Sequence, residues 1–393
     1  MAPTKPKSKS QSKKAKDRIR GAKTAQSPAV NARELLANAT AALEVGDAET
    51  AARLARTAYE HIGEKGRQAG AALSLLGQIY VELGEVAKAR KCFLKAVSVD
   101  EDGTQAEDIG GGPEKFLWLA QLSEEGGQDS VSWFERGAAA LRKQIQTLSE
   151  TLDSRPLTRD QQEVVISEKR RKLADTLCAV TEVYMTDLSW ESDAEQRCET
   201  LITEATMLAP DVAETWQTVA NVRISQTRTE EAKEALKRSL GLWTDLPPED
   251  PAVPPFPTRV SLVRLLIEVG MEEEAITVAE RLIGEDDMSV EVWYLGGYGR
   301  YTKGEKLRQG DGANQDDSWQ PFWRSSRKWL KRCLTLFEAE DYEDERLQEH
   351  AQELLESIKS ELGDGPEEDD DVDEVWEDTD EEGADSDEDE DME

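Results

Sequence analysis

Between residues 73 and 96 the chain runs Leu73-x2-Leu76-Gly77-x2-Tyr80 and then places Ala89, Phe93 and Ala96 at steps of four and three. Residues three and four apart share a helix surface, so Leu73, Leu76 and Tyr80 mark one face of a first helix and Ala89, Phe93 and Ala96 one face of a second. Gly77 and Ala89 are small where the two helices must cross closely, and Phe93 is the wedge between them. Gly84 and Glu85 fall at the turn. A single helix pair cannot bury its own apolar face, so this stretch predicts similar pairs stacked on either side.

The spacing resembles the tetratricopeptide repeat (TPR) consensus, which implies an all-α, right-handed superhelical solenoid. Weaker copies bring the total to about seven irregular pairs. Residues 32–66 carry Leu35, Ala39, Gly46, Ala51, Ala55 and Ala58, and a third pair starts at Pro113 with Phe116, Leu119, Ser130, Phe134 and Gly137. Its second helix does not stop where it should: Leu141, Ile145, Leu148 and Leu152 continue it. After Pro156, Thr158-x2-Gln161 is a capping-box signature for another long helix reaching Tyr184, so two long projecting helices are expected over about 129–187. Further pairs follow around Leu177 to Ala205, Trp216 to Ser239, Leu262 to Leu282 and Trp293 to Cys333. A proline-rich loop at 246–257 and a polar insertion at 303–317 interrupt them, and residues 343–362 read as a capping helix. The solenoid thus spans 29–362, between a basic disordered arm (1–28) and an acidic disordered tail (363–393).

Charge separates the ends from the body. The net charge is −35, yet residues 1–24 hold nine Lys/Arg against Asp17 alone, and residues 364–393 hold twenty acids and no base. An acidic body with a more acidic tail repels nucleic acid and anionic membranes and favours a strongly basic partner. No apolar run is long enough to cross a membrane and no signal peptide is evident, which predicts a soluble intracellular protein. Lys13, Lys14, Lys16, Arg18 and Arg20 are dense enough for a nuclear-import signal, and equally consistent with a solvated arm. Cys92, Cys178, Cys198 and Cys333 are scattered with neither CxxC nor a nearby His, so neither zinc nor a disulfide framework is expected. With His61 and His350 apart from any nucleophile, and no phosphate-binding or hydrolase motif, the chain reads as a non-enzyme without cofactor or metal.

First-helix side chains line the inner groove of a TPR array, and here they supply the candidate partner-binding residues. Tyr294, Tyr298 and Tyr301 share one face of one helix and offer large, rigid contact area. Elsewhere the same positions give Glu82, Glu124, Asp175, Glu182, Glu214, Gln217, Asn221 and Glu268, a set suited to an extended basic peptide. The mostly acidic or apolar choice argues against a clamp for a C-terminal carboxylate. Trp376, inside Asp373-Glu374-Val375-Trp376-Glu377, adds an aromatic that can meet a basic partner while the carboxylates steer it.

Basic arm, irregular repeats, long central helices and Trp-bearing acidic tail together resemble the fungal dedicated assembly chaperones of large-subunit ribosomal protein number four. The stretches Ala72-Leu73-Ser74-Leu75-Leu76-Gly77-Gln78-Ile79-Tyr80 and Glu374-Val375-Trp376-Glu377 carry that likeness. The resemblance implies a holding chaperone whose inner surface takes the client's long basic loop and shields it from aggregation and stray RNA until it joins a pre-ribosome. It also implies shuttling between cytoplasm and nucleus, with transient contact to an import receptor or pre-ribosome. A histone chaperone and a TPR scaffold subunit of a stable complex are the alternatives that the residues themselves leave open.

Overall fold

The structure, a computed structural model, describes residues 31–150, 158–309 and 317–363. The chain divides into two compact units, one ending at Ala194 and the next beginning at Glu195. Among the described residues all regular structure is helical.

The first unit contains α1 (Ala32–Glu44), α2 (Ala48–Ile62), α3 (Ala69–Glu82), α4 (Val86–Val99), α5 (Glu114–Gln121), α6 (Gly127–Glu150) and α7 (Arg159–Met185). Each helix from α1 to α7 packs on the next, which is the stacked-pair arrangement that the spacing predicts. Gly46 and Gly84 take φ of +81° and +69° at the tight turns, where a side chain would be strained. Asp47 caps α2, its carboxylate accepting from the Thr50 amide at 3.0 Å. Phe93 is fully buried against Gly77, where an added Cβ would stand 2.5 Å from the ring. Close crossing at Gly77 is therefore what seats α3 on α4.

A loop and a short 3-10 turn (Glu107–Ile109) link α4 to α5, built around a buried ion pair absent from the repeat pattern. Asp100 accepts from the amides of Thr104 and Gln105 at 3.0 and 3.2 Å and from that of Gly112 at 3.2 Å. Lys115 Nζ donates to Asp100 at 2.7 Å and to the Gly112 carbonyl at 2.8 Å, and both side chains are within a few per cent of complete burial. Burial pushes the Asp100 carboxyl up, but Lys115 and the amides of Gln105 and Thr104 more than offset it and hold it below the usual carboxylate range. The expected capping box of α7 is present: Thr158 Oγ1 accepts from the Gln161 amide and Gln161 Oε1 from the Thr158 amide. Long helices α6 and α7 lie against each other, and Lys169 and Lys172 of α7 pair with Glu107 and Glu114.

The second unit holds α8 (Ala194–Leu208), α9 (Ala213–Ser225), α10 (Thr229–Leu240), α11 (Phe256–Val269), α12 (Glu272–Glu285), α13 (Val290–Gln309), α14 (Gln320–Ala339) and α15 (Glu345–Leu362). From α9 onward each helix packs on its successor, and α15 also touches α13. Gly296 and Gly297 let α14 approach, with Trp329 against the first and Leu330 against the second. The proline-rich segment is fixed, not a free spacer. Trp243, 1% exposed, lies under the guanidinium groups of Arg259 and Arg281. Arg259 also holds the Pro254 carbonyl and forks onto Glu285 at 2.6 Å, while Arg281 binds the carbonyls of Thr244 and Leu246.

One boundary needs correction. The insertion expected at 303–317 begins as helix, because α13 runs on to Gln309. Its polar side chains are held by ion pairs, Lys303 to Glu273, Lys306 to Glu272 and Arg308 to Glu361, so a polar sequence still forms a seated helix. Residues 310–316 lie outside the described residues, as do the basic arm and the acidic tail with Trp376.

Candidate partner-binding surfaces

The capping helix decides the fate of the tyrosine face. Asp344 caps α15 through the amides of Arg346 and Leu347, and Leu347, Ala351, Leu354 and Ile358 turn its apolar side inward. That side buries against Trp323 and Leu330, and Tyr294, Tyr298 and Tyr301 pack on the same cluster. Tyr294 OH is 2.6 Å from His350 Nδ1, and Tyr301 OH is 2.9 Å from Ser357 Oγ. Tyr294 stacks on Tyr298, both meet the His350 edge, and Tyr301 stacks on Trp323 at 4.9 Å. Burial pushes the Tyr294 hydroxyl up to about 12. The expectation of an open aromatic face therefore gives way to a half-buried one. An apolar last repeat must be covered, and α15 covers it with the very side that the tyrosines occupy.

Gln217 is a second correction. It is 6% exposed and its Nε2 lies 3.4 Å from Ser239 Oγ of α10, so it belongs to the interior. Helix α9 is buried on more than one side, with Ala213, Thr215, Val219, Ala220 and Val222 also inside, and the groove position is consumed by packing. Glu214 and Asn221 beside it are half-buried.

The acids of the first unit are where a basic partner can reach them. Glu82 ends α3, and Asp175 and Glu182 stand two turns apart on α7, all three exposed. Glu124 is exposed too, though in the turn after α5, because that helix ends at Gln121 and is shorter than the repeat pattern implies. Protein mass around Glu182 raises its carboxyl even though the side chain keeps contact with water, so a cation brought there relieves an unfavourable charge. In the second unit Glu268 of α11 is exposed.

Sequence reasoning passed over a further groove on α9 and α10, of about 730 Å³, where Trp216 lies among as many cations (Arg223, Lys237, Arg238) as acids (Glu230, Glu231, Glu234). Arg238 stacks 4.2 Å above the Trp216 ring. It escaped notice because only first-helix positions were expected to face a partner, whereas its three acids sit on a second helix. His350, which the sequence sets apart from any nucleophile, has Tyr294 as its partner from 56 positions away, and no local spacing announces the pair.

Among the described residues no group of three or more His, Cys, Asp or Glu side chains is arranged to hold a metal, and no helix is long and apolar enough to cross a membrane. Burial pushes the Cys333 thiol to about 12, which makes it inert.

Stacked helix pairs with small residues at the crossings and carboxylates on their surfaces define a TPR binding protein, and residues 71–102 match the family model for the tetratricopeptide repeat. The chain belongs, more narrowly, to a fungal family of assembly chaperones of rpl4. It is 46% identical over 347 residues to a probable assembly chaperone of rpl4 from Emericella nidulans, covering 86% of this chain and 84% of that one. A protein of the same description from Schizosaccharomyces pombe is 33% identical over 293 residues, covering 74% and 81%. Among solved structures, residues 1–338 of the assembly chaperone of RpL4, Acl4, superpose with a TM-score of 0.68 at 73% identity, covering 72% of this chain and all of that one.

Proposed function

We propose that this chain is a holding chaperone for newly made RpL4, the protein for which its relatives are named. The observation that carries the reading is kinship over most of both chains, at 46% identity. Exposed Glu82, Glu124, Asp175, Glu182 and Glu268 support it, because they offer a basic segment carboxylates within its reach, and at Glu182 a charge that a cation relieves. Carboxylates steer the client in. Release follows when ribosomal RNA and neighbouring proteins offer the same segment a tighter site, since anything that binds one state preferentially shifts the equilibrium. The work is binding without catalysis. The chaperone accompanies its client from cytoplasm to nucleus, with an import receptor and the pre-ribosome as transient contacts.

The test is a tagged pull-down from the native cells, washed at low and moderate salt and read by mass spectrometry, beside imaging of the tagged chain. RpL4 in near one-to-one amount without the rest of the ribosome, and signal in both compartments, is the expected result. Core histones, or a folded partner that persists in high salt, would replace the reading by a histone chaperone or a scaffold subunit.

A further inference from the structure

Against a net charge of −35, two helices are strongly basic: α4, with Lys88, Arg90, Lys91 and Lys95 and no acid, and α14, with Arg324, Arg327, Lys328, Lys331 and Arg332 and Glu338 its lone acid. At 100° per residue the five cations of α14 fall within an arc of about 140°, so they form one stripe and not a scatter. Arg324 and Lys331 are exposed and Lys328 and Arg332 half-exposed. Arg327 is 8% exposed, and its Nη2 donates to the carbonyl of Gly363 at 2.9 Å. Gly363 is the last described residue, and Asp364 follows it directly. The most acidic segment of the chain therefore begins one residue beyond a contact with α14, one of the two most basic helices.

We propose that residues 364–393 dock on this stripe, making the acidic tail an internal ligand of α14. Charge selects the occupant: twenty acids without a base in the segment, five cations without an acid between positions 324 and 332. Reach is no obstacle. Extended chain gains about 3.3 Å per residue, and the stripe from 324 to 332 is about 12 Å long, so a few residues after Gly363 span it. Tethering makes the encounter intramolecular, with an effective concentration near millimolar for a short linker. Exposed ion pairs are individually weak and screened by salt, so the docked tail exchanges readily. Its effect is to mask a cationic face that would otherwise attract RNA phosphates. The inference stands whether or not the client is RpL4.

Zero-length carbodiimide cross-linking of the full chain tests it, since that reagent joins a carboxylate only to an amine in contact. Fragments of 364–393 should attach to Lys328 and Lys331 at about 50 mM salt and disappear at about 0.5 M, where the Debye length shrinks to a few ångströms. In the Arg324→Glu/Arg332→Glu variant both lysines remain as reporters, and the same cross-links should fall at least tenfold while circular dichroism stays unchanged. As a second measurement, the labelled peptide 364–393 should bind the full-length charge-reversed chain at least tenfold more weakly than it binds a chain whose own tail acids are replaced by Asn and Gln. Tail cross-links spread evenly over the lysines of the chain, or unaffected by the charge reversal, would overturn the proposal. So would a uridine 20-mer that binds the full chain through the stripe, which would make it a phosphate surface open at all times.

Discussion

Lys115 is nearly completely buried and spends its ammonium on Asp100 and Gly112, which makes the pair the point where one atom's loss is felt most. Replacing Lys115 by Met leaves a buried carboxylate without its cation, a change that costs about 3–5 kcal/mol. Urea unfolding of the first unit should report it. The pH dependence follows from the depressed Asp100 carboxyl. A carboxyl whose folded value lies below its unfolded one contributes stability that is complete above the usual range near 3.8 and is lost as pH falls through the folded value. The stability gap between the natural chain and Asp100→Asn should therefore be constant from neutrality down to about pH 5 and close below pH 4. Gly77→Val is the steric counterpart: with a Cβ position 2.5 Å from the Phe93 ring, overpacking should cost about 1–3 kcal/mol in thermal unfolding. A destabilisation no larger than that of a surface Gly→Val change would mean that Phe93 turns aside freely.

At the level of the element, the capping helix is the clearest case of one segment completing another. Ala351, Leu354 and Ile358 bury against Trp323, Leu330 and the three tyrosines, Leu347 is buried beside them on the same helix, and each such side chain of Leu or Ile size contributes about 1.5–3 kcal/mol. A chain ending at Asp344 should lose several kcal/mol in the second unit and bind a hydrophobic dye, while one ending at Gly363 should do neither. Equal behaviour of the two truncations would show that α15 covers nothing essential. The same helix shows what the sequence could and could not disclose. Its apolar spacing, the Leu73 to Ala96 pair, the Thr158 capping box and the long reach of α6 and α7 are local periodicities, and local periodicity is readable without coordinates. What α15 lies on is not local. Tyr294 and His350 are brought together from 56 positions apart, and the tyrosines read as an open face because their spacing says only that they share a side. Asp100 with Lys115, Trp243 under two arginines, and Gln217 turned onto Ser239 escaped for the same reason, each being a contact between elements. The α13 extension to Gln309 was hidden differently, since polar residues that are stabilised by ion pairs resemble loop residues in any reading of hydropathy.

Across the whole molecule the dominant quantity is charge, with 83 acids against 48 bases. Their contribution to client capture can be separated from their contribution to folding, because Glu82, Asp175 and Glu182 are exposed while Gln217 is not. Reversing Glu82, Asp175 and Glu182 to Lys should leave the unfolding midpoint nearly unchanged, since exposed substitutions stay within about 0.5 kcal/mol each. Capture of RpL4 should nevertheless weaken at least tenfold at low salt, through slower association, because each reversal replaces attraction of a basic segment by repulsion. Raising salt should shrink that difference, as screening removes both the natural attraction and the engineered repulsion. Gln217→Ala should behave oppositely, lowering stability by about 1 kcal/mol through the lost Ser239 contact with client affinity unchanged. Surface-plasmon measurements of association and dissociation at two salt concentrations, beside thermal unfolding of the same three proteins, distinguish these cases. If the triple reversal left the association rate untouched at low salt, the carboxylates of the first unit would be solubilising charge, and exposed Glu268 of the second unit would be the next to reverse, since Glu230, Glu231 and Glu234 are already paired with Lys233, Arg228 and Lys237.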